Sequence, residues 1–183
     1  RYERGIMRPK RDALQAIAKA LNISEAYFDG TNIKIDVPML RTTSNGKVSE
    51  DELQALEAKL SFWTEQYLAK EKEAGFPTQF KNPIKGTRVS TLEDAIQASS
   101  LLREKWHCGD GPIASILRLL ERKGIMILAA TLPDYVFGMS TWADKKHPLM
   151  ILDFNPEKSS VEKLRFTAAH ELAHLLLLFP EDS

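Results

Sequence analysis

Apolar positions recur at helical spacing along most of this chain. Leu14, Ile17, Ala18 and Leu21 share one face and predict a helix over residues 10–21, after the turn at Arg8-Pro9-Lys10. Asn22-Ile23-Ser24 interrupts it, and Ser24 can cap a short helix that runs through Phe28 and stops before Gly30. Two such helices bury too little to stand as a domain, so their apolar faces require neighbours. Residues 31–49 are polar, carry Pro38, Gly46 and Thr-Thr-Ser-Asn, and read as a linker. Ser49-Glu50-Asp51-Glu52 then opens a long helix, with Ser49 as the cap and the acids facing the positive helix end. Leu53, Leu56, Leu60, Trp63 and Tyr67 form a stripe at alternating three- and four-residue spacing. The stripe is shorter than the three to four heptads that argue for a coiled coil. It suits packing within its own domain first, and a homodimer contact second.

Gly75-Phe76-Pro77 ends the long helix, and a connection containing Pro and Gly leads to Ser90. Leu92, Ala95, Ile96, Ser99, Leu102 and Trp106 mark the next amphipathic helix. Gly111-Pro112 predicts a further helix start, with Pro at the first helical position, and Gly124 stops that helix. Residues 125–129, 136–142 and 149–154 read as strands. Ser159-Ser160-Val161-Glu162 holds an S-x-x-E capping-box start for a last helix, which has no Gly or Pro before Pro180. That helix is apolar on nearly every face from Phe166 to Phe179, the pattern of one buried in a domain centre. The expected fold is therefore α+β and helix-rich, with a small three-stranded sheet.

Composition narrows the classes. The 25 basic and 25 acidic residues cancel, so the whole chain is not a basic nucleic-acid binder. Charge is uneven, however: Arg1, Arg4, Arg8, Lys10 and Arg11 open the chain, a pattern that suits either a phosphate-facing surface or a solvated loop face. No apolar run approaches the roughly 20 residues of a membrane span, and no signal peptide is visible. The single cysteine, Cys108, cannot form an internal disulfide, which suits a reducing cytoplasm. Cys108 beside His107 reads as a half-buried structural pair, and His107 and His147 read as satisfied surface histidines.

Within the last helix stands H-E-x-x-H: His170, Glu171 and His174. Residues four apart lie on one helical face, so both imidazoles can reach one metal. Glu171 is turned about 100° from His170, beside the metal rather than on it. Zinc lowers the pKa of a bound water to about 7 and polarises a peptide carbonyl, and a carboxylate so placed takes the proton. His170 and His174 are the candidate metal ligands, Glu171 the candidate catalytic base, and zinc the candidate cofactor. The alternative is a pair of core histidines hydrogen-bonded to backbone. Arg165 can pair an acid or a substrate carboxylate, or lie on the surface near the first turn.

Two resemblances follow from these residues. Arg-Tyr-Glu-Arg-Gly-Ile-Met-Arg-Pro-Lys with Leu-Gln-Ala-Ile-Ala-Lys-Ala-Leu-Asn-Ile-Ser resembles the second half of an XRE-type, lambda-repressor-like helix-turn-helix domain. The resemblance implies operator DNA as a partner and a remnant of an all-α DNA-binding domain over residues 1–30. The stretch 90–183 is similar to the ImmA/IrrE family of zinc metallopeptidases. It shares with them Leu-Arg-Glu-Lys-Trp, Leu-Leu-Glu-Arg-Lys-Gly-Ile, a strand ending in Leu-Asp-Phe-Asn, and Arg-Phe-Thr-Ala-Ala-His-Glu-Leu-Ala-His-Leu-Leu-Leu. This resemblance implies a zincin-like domain in a cytoplasmic bacterial or phage regulator. Its protein partner would be a cleaved repressor or a toxin, and no membrane is involved. The resulting division is 1–30, linker 31–49, long helix and connection 50–89, and peptidase-like domain 90–183. In that family strand 149–154 resembles the edge strand that aligns substrate, and the third metal ligand is an acid on a downstream helix. On that basis the chain is a fragment cut at both ends, with that ligand beyond its last residue. It is then expected to bind zinc poorly and cleave nothing, whereas its parent is a zinc metalloendopeptidase. The rival expectation is a non-catalytic regulator or antitoxin that keeps the fold without turnover.

Overall fold

The structure is a computed structural model that describes residues 9–21, 33, 35, 49–75, 79–133 and 135–180. The chain divides into two compact units, Arg1–Glu73 and Ala74–Ser183.

In the first unit, α1 spans Arg11–Leu21 and α2 spans Glu50–Glu73. Of the predicted α1 stripe, Ala18 is buried, Leu14 and Ile17 are half-buried and Leu21 is exposed. Ser49 caps α2 reciprocally with Glu52: the Ser49 backbone N–H and hydroxyl both donate to the Glu52 carboxylate, and Glu52 N–H donates back to Ser49 Oγ. These bonds hold the Glu52 carboxyl below the ordinary range, the backbone one contributing most. The stripe on α2 is inward, with Leu53 and Leu60 buried and Leu56, Trp63 and Tyr67 half-buried. The short helix expected after Ser24, residues 1–8, and most of the linker lie outside the described residues.

The second unit is mixed α and β. Helix α3, Leu92–Lys105, is closed by a Thr91/Asp94 capping box. Helix α4, Ile116–Arg122, begins later than Gly111-Pro112 predicts, with Ser115 as its cap. Two arginines explain the delay. Arg103 donates to the carbonyls of Gly109 and Gly111, and Arg165 donates to those of Ile113 and Ala114. Residues 109–114 are thus held as a braced loop, and Pro112 lies in that loop rather than in a first turn. Gly124 ends α4 at φ +87°, where a Cβ would stand 2.9 Å from Phe80 N, so glycine alone fits.

Three strands follow: β1, Met126–Ala129; β2, Gly138–Ala143; β3, His147–Leu152. Their order is β1-β3-β2, with β1 parallel and β2 antiparallel to β3. The central strand is therefore β3, and its Leu149, Met150, Ile151 and Leu152 are fully buried. This corrects the expectation that 149–154 is an edge strand: a strand buried on both faces reads as a continuous apolar run, and Leu-Met-Ile-Leu is one. Among the described residues β1 and β2 are the two edge strands, and β2 is the one on which Glu171 of the last helix is held.

The last helix, α5, Val161–Leu176, packs on β2 and β3. Its cap is Ser160, which accepts from Lys163 N–H, so the Ser159-x-x-Glu162 pairing does not form the start. It ends at Leu177, which is extended, well before Pro180. Asn82 Nδ2 donates to the Leu176 carbonyl, and residues 87–89 pair with Leu178, which draws the chain out of the helix. Gly138 on β2 lets α5 approach: a Cβ there would stand 2.6 Å from Thr167 Cγ2. Among the described residues no helix is long and apolar enough to cross a membrane.

Candidate metal centre

Helix α5 carries three sides with different fates. Ala168, Leu172, Leu175 and Leu176 enter the core with Met150, Leu152, Leu120 and Trp106. Glu171 is also buried, at 4% exposure, and faces β2. His170 and His174 are exposed, and Phe166 beside them is 73% exposed. The expectation of a helix buried all round is thus corrected, since one flank is open and that flank bears the imidazoles. A histidine pair that lies in solvent is not a pair of satisfied core histidines.

The two imidazoles converge. Their Nε2 atoms lie 3.1 Å apart and their ring centroids 4.8 Å apart. Phe166 stacks on His170 and Phe179 packs beside His174, so aromatic rings flank the pair along the helix axis. Two nitrogens bound tetrahedrally to zinc at about 2.05 Å stand roughly 3.3 Å apart. The observed spacing fits that geometry without moving the helix. Glu171 points to the other side, where its Oε2 accepts a 2.8 Å hydrogen bond from Ser140 Oγ on β2. The carboxylate is therefore tied to the sheet, on the residue that follows His170 in the helix.

Among the described residues no third His, Cys, Asp or Glu joins the pair. Glu181 and Asp182 lie outside the described residues. His107 is exposed at a left-handed position (φ 56°) after α3, Cys108 packs partly against the core, and His147 opens β3. Arg165 donates its guanidinium to the carbonyls of Ile113 and Ala114, and its charge also favours the ionised form of Glu162 one turn earlier.

Two surfaces border the pair. On the β2 side, Phe137 O accepts from Asp153 N–H, which makes 137 and 153 a hydrogen-bonded pair. Alternation along an antiparallel ladder then turns the backbone of Met139 and Thr141 toward β3, and that of Gly138, Ser140 and Trp142 toward the open edge. On the opposite flank of α5, a cavity of about 310 Å³ runs between Ala169, Leu172 and Ala173 of α5 and Ala95, Ala98 and Leu102 of α3.

Sequence reasoning did not single out Ser140. Its signal was available only in combination: a glutamate in an apolar helix needs a donor, and Ser140 is the polar position between Gly138 and Trp142 on one strand face. Compared with protein-family models, curated proteins and solved structures, the chain matches none of them.

Proposed function

We propose that the second unit is a zinc peptidase-like module within a DNA-binding transcriptional regulator. The observation that carries the metal reading is the 3.1 Å approach of the His170 and His174 Nε2 atoms beside a buried Glu171. His170 and His174 would hold the ion through Nε2. Bound there, zinc supplies Lewis-acid polarisation of a peptide carbonyl. Glu171 takes the proton of the attacking water and returns it to the leaving amine. The open edge of β2 offers backbone donors and acceptors to an extended peptide, so a protein partner would be aligned by strand addition. The regulator part rests on the helix-turn-helix resemblance over residues 1–30, of which α1 is described, and the partner there is operator DNA.

One observation favours a second reading, a non-catalytic regulator or antitoxin with a retained metal helix. Catalytic zinc sites use three protein ligands and a water, and the described residues bring two. Zinc removal distinguishes the readings. The zinc-loaded protein is incubated with an unstructured peptide, with and without 1,10-phenanthroline. Cleavage that stops on chelation and resumes on adding zinc is the expected result for the peptidase. Zinc binding without cleavage favours the second reading. Cleavage that persists after complete zinc removal contradicts the zinc peptidase reading.

A further inference from the structure

A metal held by two imidazoles has open coordination positions, and a carboxylate one residue along the same helix is a ready ligand for them. Glu171 is that carboxylate, yet its work as a base requires that it stay off the metal. A hydrogen bond from the sheet restrains it. Ser140 Oγ donates to Glu171 Oε2 at 2.8 Å, and Glu171 is 4% exposed, so solvent does not compete strongly for that oxygen. Ser140 is itself fixed, because it sits in register with the fully buried Met150 of the central strand.

We propose that Ser140 is a positioning residue that keeps Glu171 a base rather than a ligand. The proposal rests on the metal reading of His170 and His174. Ser140 has a second role in the same geometry. Its backbone N–H and carbonyl face the open edge of β2, where a peptide strand would bond, while its hydroxyl holds Glu171. A single residue therefore joins substrate alignment to base orientation, and a substrate that tightens on the edge strand also steadies the base.

The test uses Co²⁺ as the probe, titrated into the 183-residue chain and its variants, with the cobalt d–d spectrum and affinity as readouts. Ser140→Ala is expected to change the spectrum and tighten Co²⁺ binding by about tenfold, similar in size but opposite in sign to the usual loss of an outer-shell partner, because the freed Glu171 becomes a ligand. Ser140→Thr, which keeps the hydroxyl, is expected to match the unsubstituted chain. Adding Glu171→Gln to Ser140→Ala is expected to restore the original spectrum. If Ser140→Ala does not fold, Ser140→Cys keeps the shape with a weaker donor and is expected to shift the spectrum in the same direction. A spectrum and affinity unchanged by Ser140→Ala, or by Ser140→Cys in its place, overturn this proposal alone. No cobalt binding by the unsubstituted chain overturns the metal reading and this proposal with it.

Discussion

Glu171→Gln is expected to lower peptide hydrolysis by the zinc-loaded protein roughly 10²–10⁴-fold, the usual contribution of a positioned general base. Glutamine has the same shape, and its side-chain carbonyl can still accept from Ser140 Oγ, so the α5–β2 contact survives. What is lost is the ability to take a proton. Zinc content is expected to hold, because His170 and His174 remain. The check is kcat/KM with zinc measured on the same samples. Hydrolysis retained within a few-fold contradicts the base assignment. Zinc lost together with activity makes Glu171 a ligand.

Asp153→Ala is expected to cost about 3 kcal/mol of stability, the scale of breaking a buried ion pair from one side. Asp153 is 1% exposed at the end of β3. Its carboxylate accepts from Leu132 N–H at 3.2 Å, from Asn155 N–H at 2.9 Å and from Lys158 Nζ at 3.1 Å. Lys158 Nζ also donates to the Leu132 carbonyl at 2.7 Å. One carboxylate thus binds the loop before β2 to the turn before α5, and alanine leaves two backbone donors and an ammonium without it. Burial pushes the Asp153 carboxyl up, but the Asn155 and Leu132 N–H groups and Lys158 outweigh it and hold the group below its ordinary 3.8. The stability it contributes is therefore present above the unfolded value and is lost as pH falls through the lower folded value. Denaturant unfolding at pH 7 is expected to separate Asp153→Ala from the unsubstituted chain clearly, and the gap is expected to shrink below about pH 4. A pH-independent gap contradicts the charge-based part of this account.

Local periodicity made much of the fold legible. The α1 and α2 stripes, the three strands and the H-E-x-x-H helix follow from spacing alone, because each is set by residues close in sequence. The parts that stayed hidden depend on partners far away. The carbonyls that Arg103 and Arg165 hold displace the start of α4, and the Arg165 pairs lie 51 and 52 positions apart. The pairing of Leu178 with residues 87–89 ends α5 early. The place of β3 at the sheet centre was written in its Leu-Met-Ile-Leu run but needed the parallel partner β1 to be seen. Spacing named His170, Glu171 and His174, whereas Ser140 lies 31 positions from the glutamate it holds. Periodicity also misjudged exposure: apolar residues surround α5, yet the imidazole flank is open because no described element covers it.

The most direct test of the metal centre is a calorimetric titration of zinc into the metal-free 183-residue chain, with His170→Ala alongside. One zinc per unsubstituted chain, held weakly because the described residues bring two ligands, with binding lost in His170→Ala, is the predicted result. No binding by the unsubstituted chain, or equal binding by the variant, would contradict the assignment of His170 and His174 as the ligands.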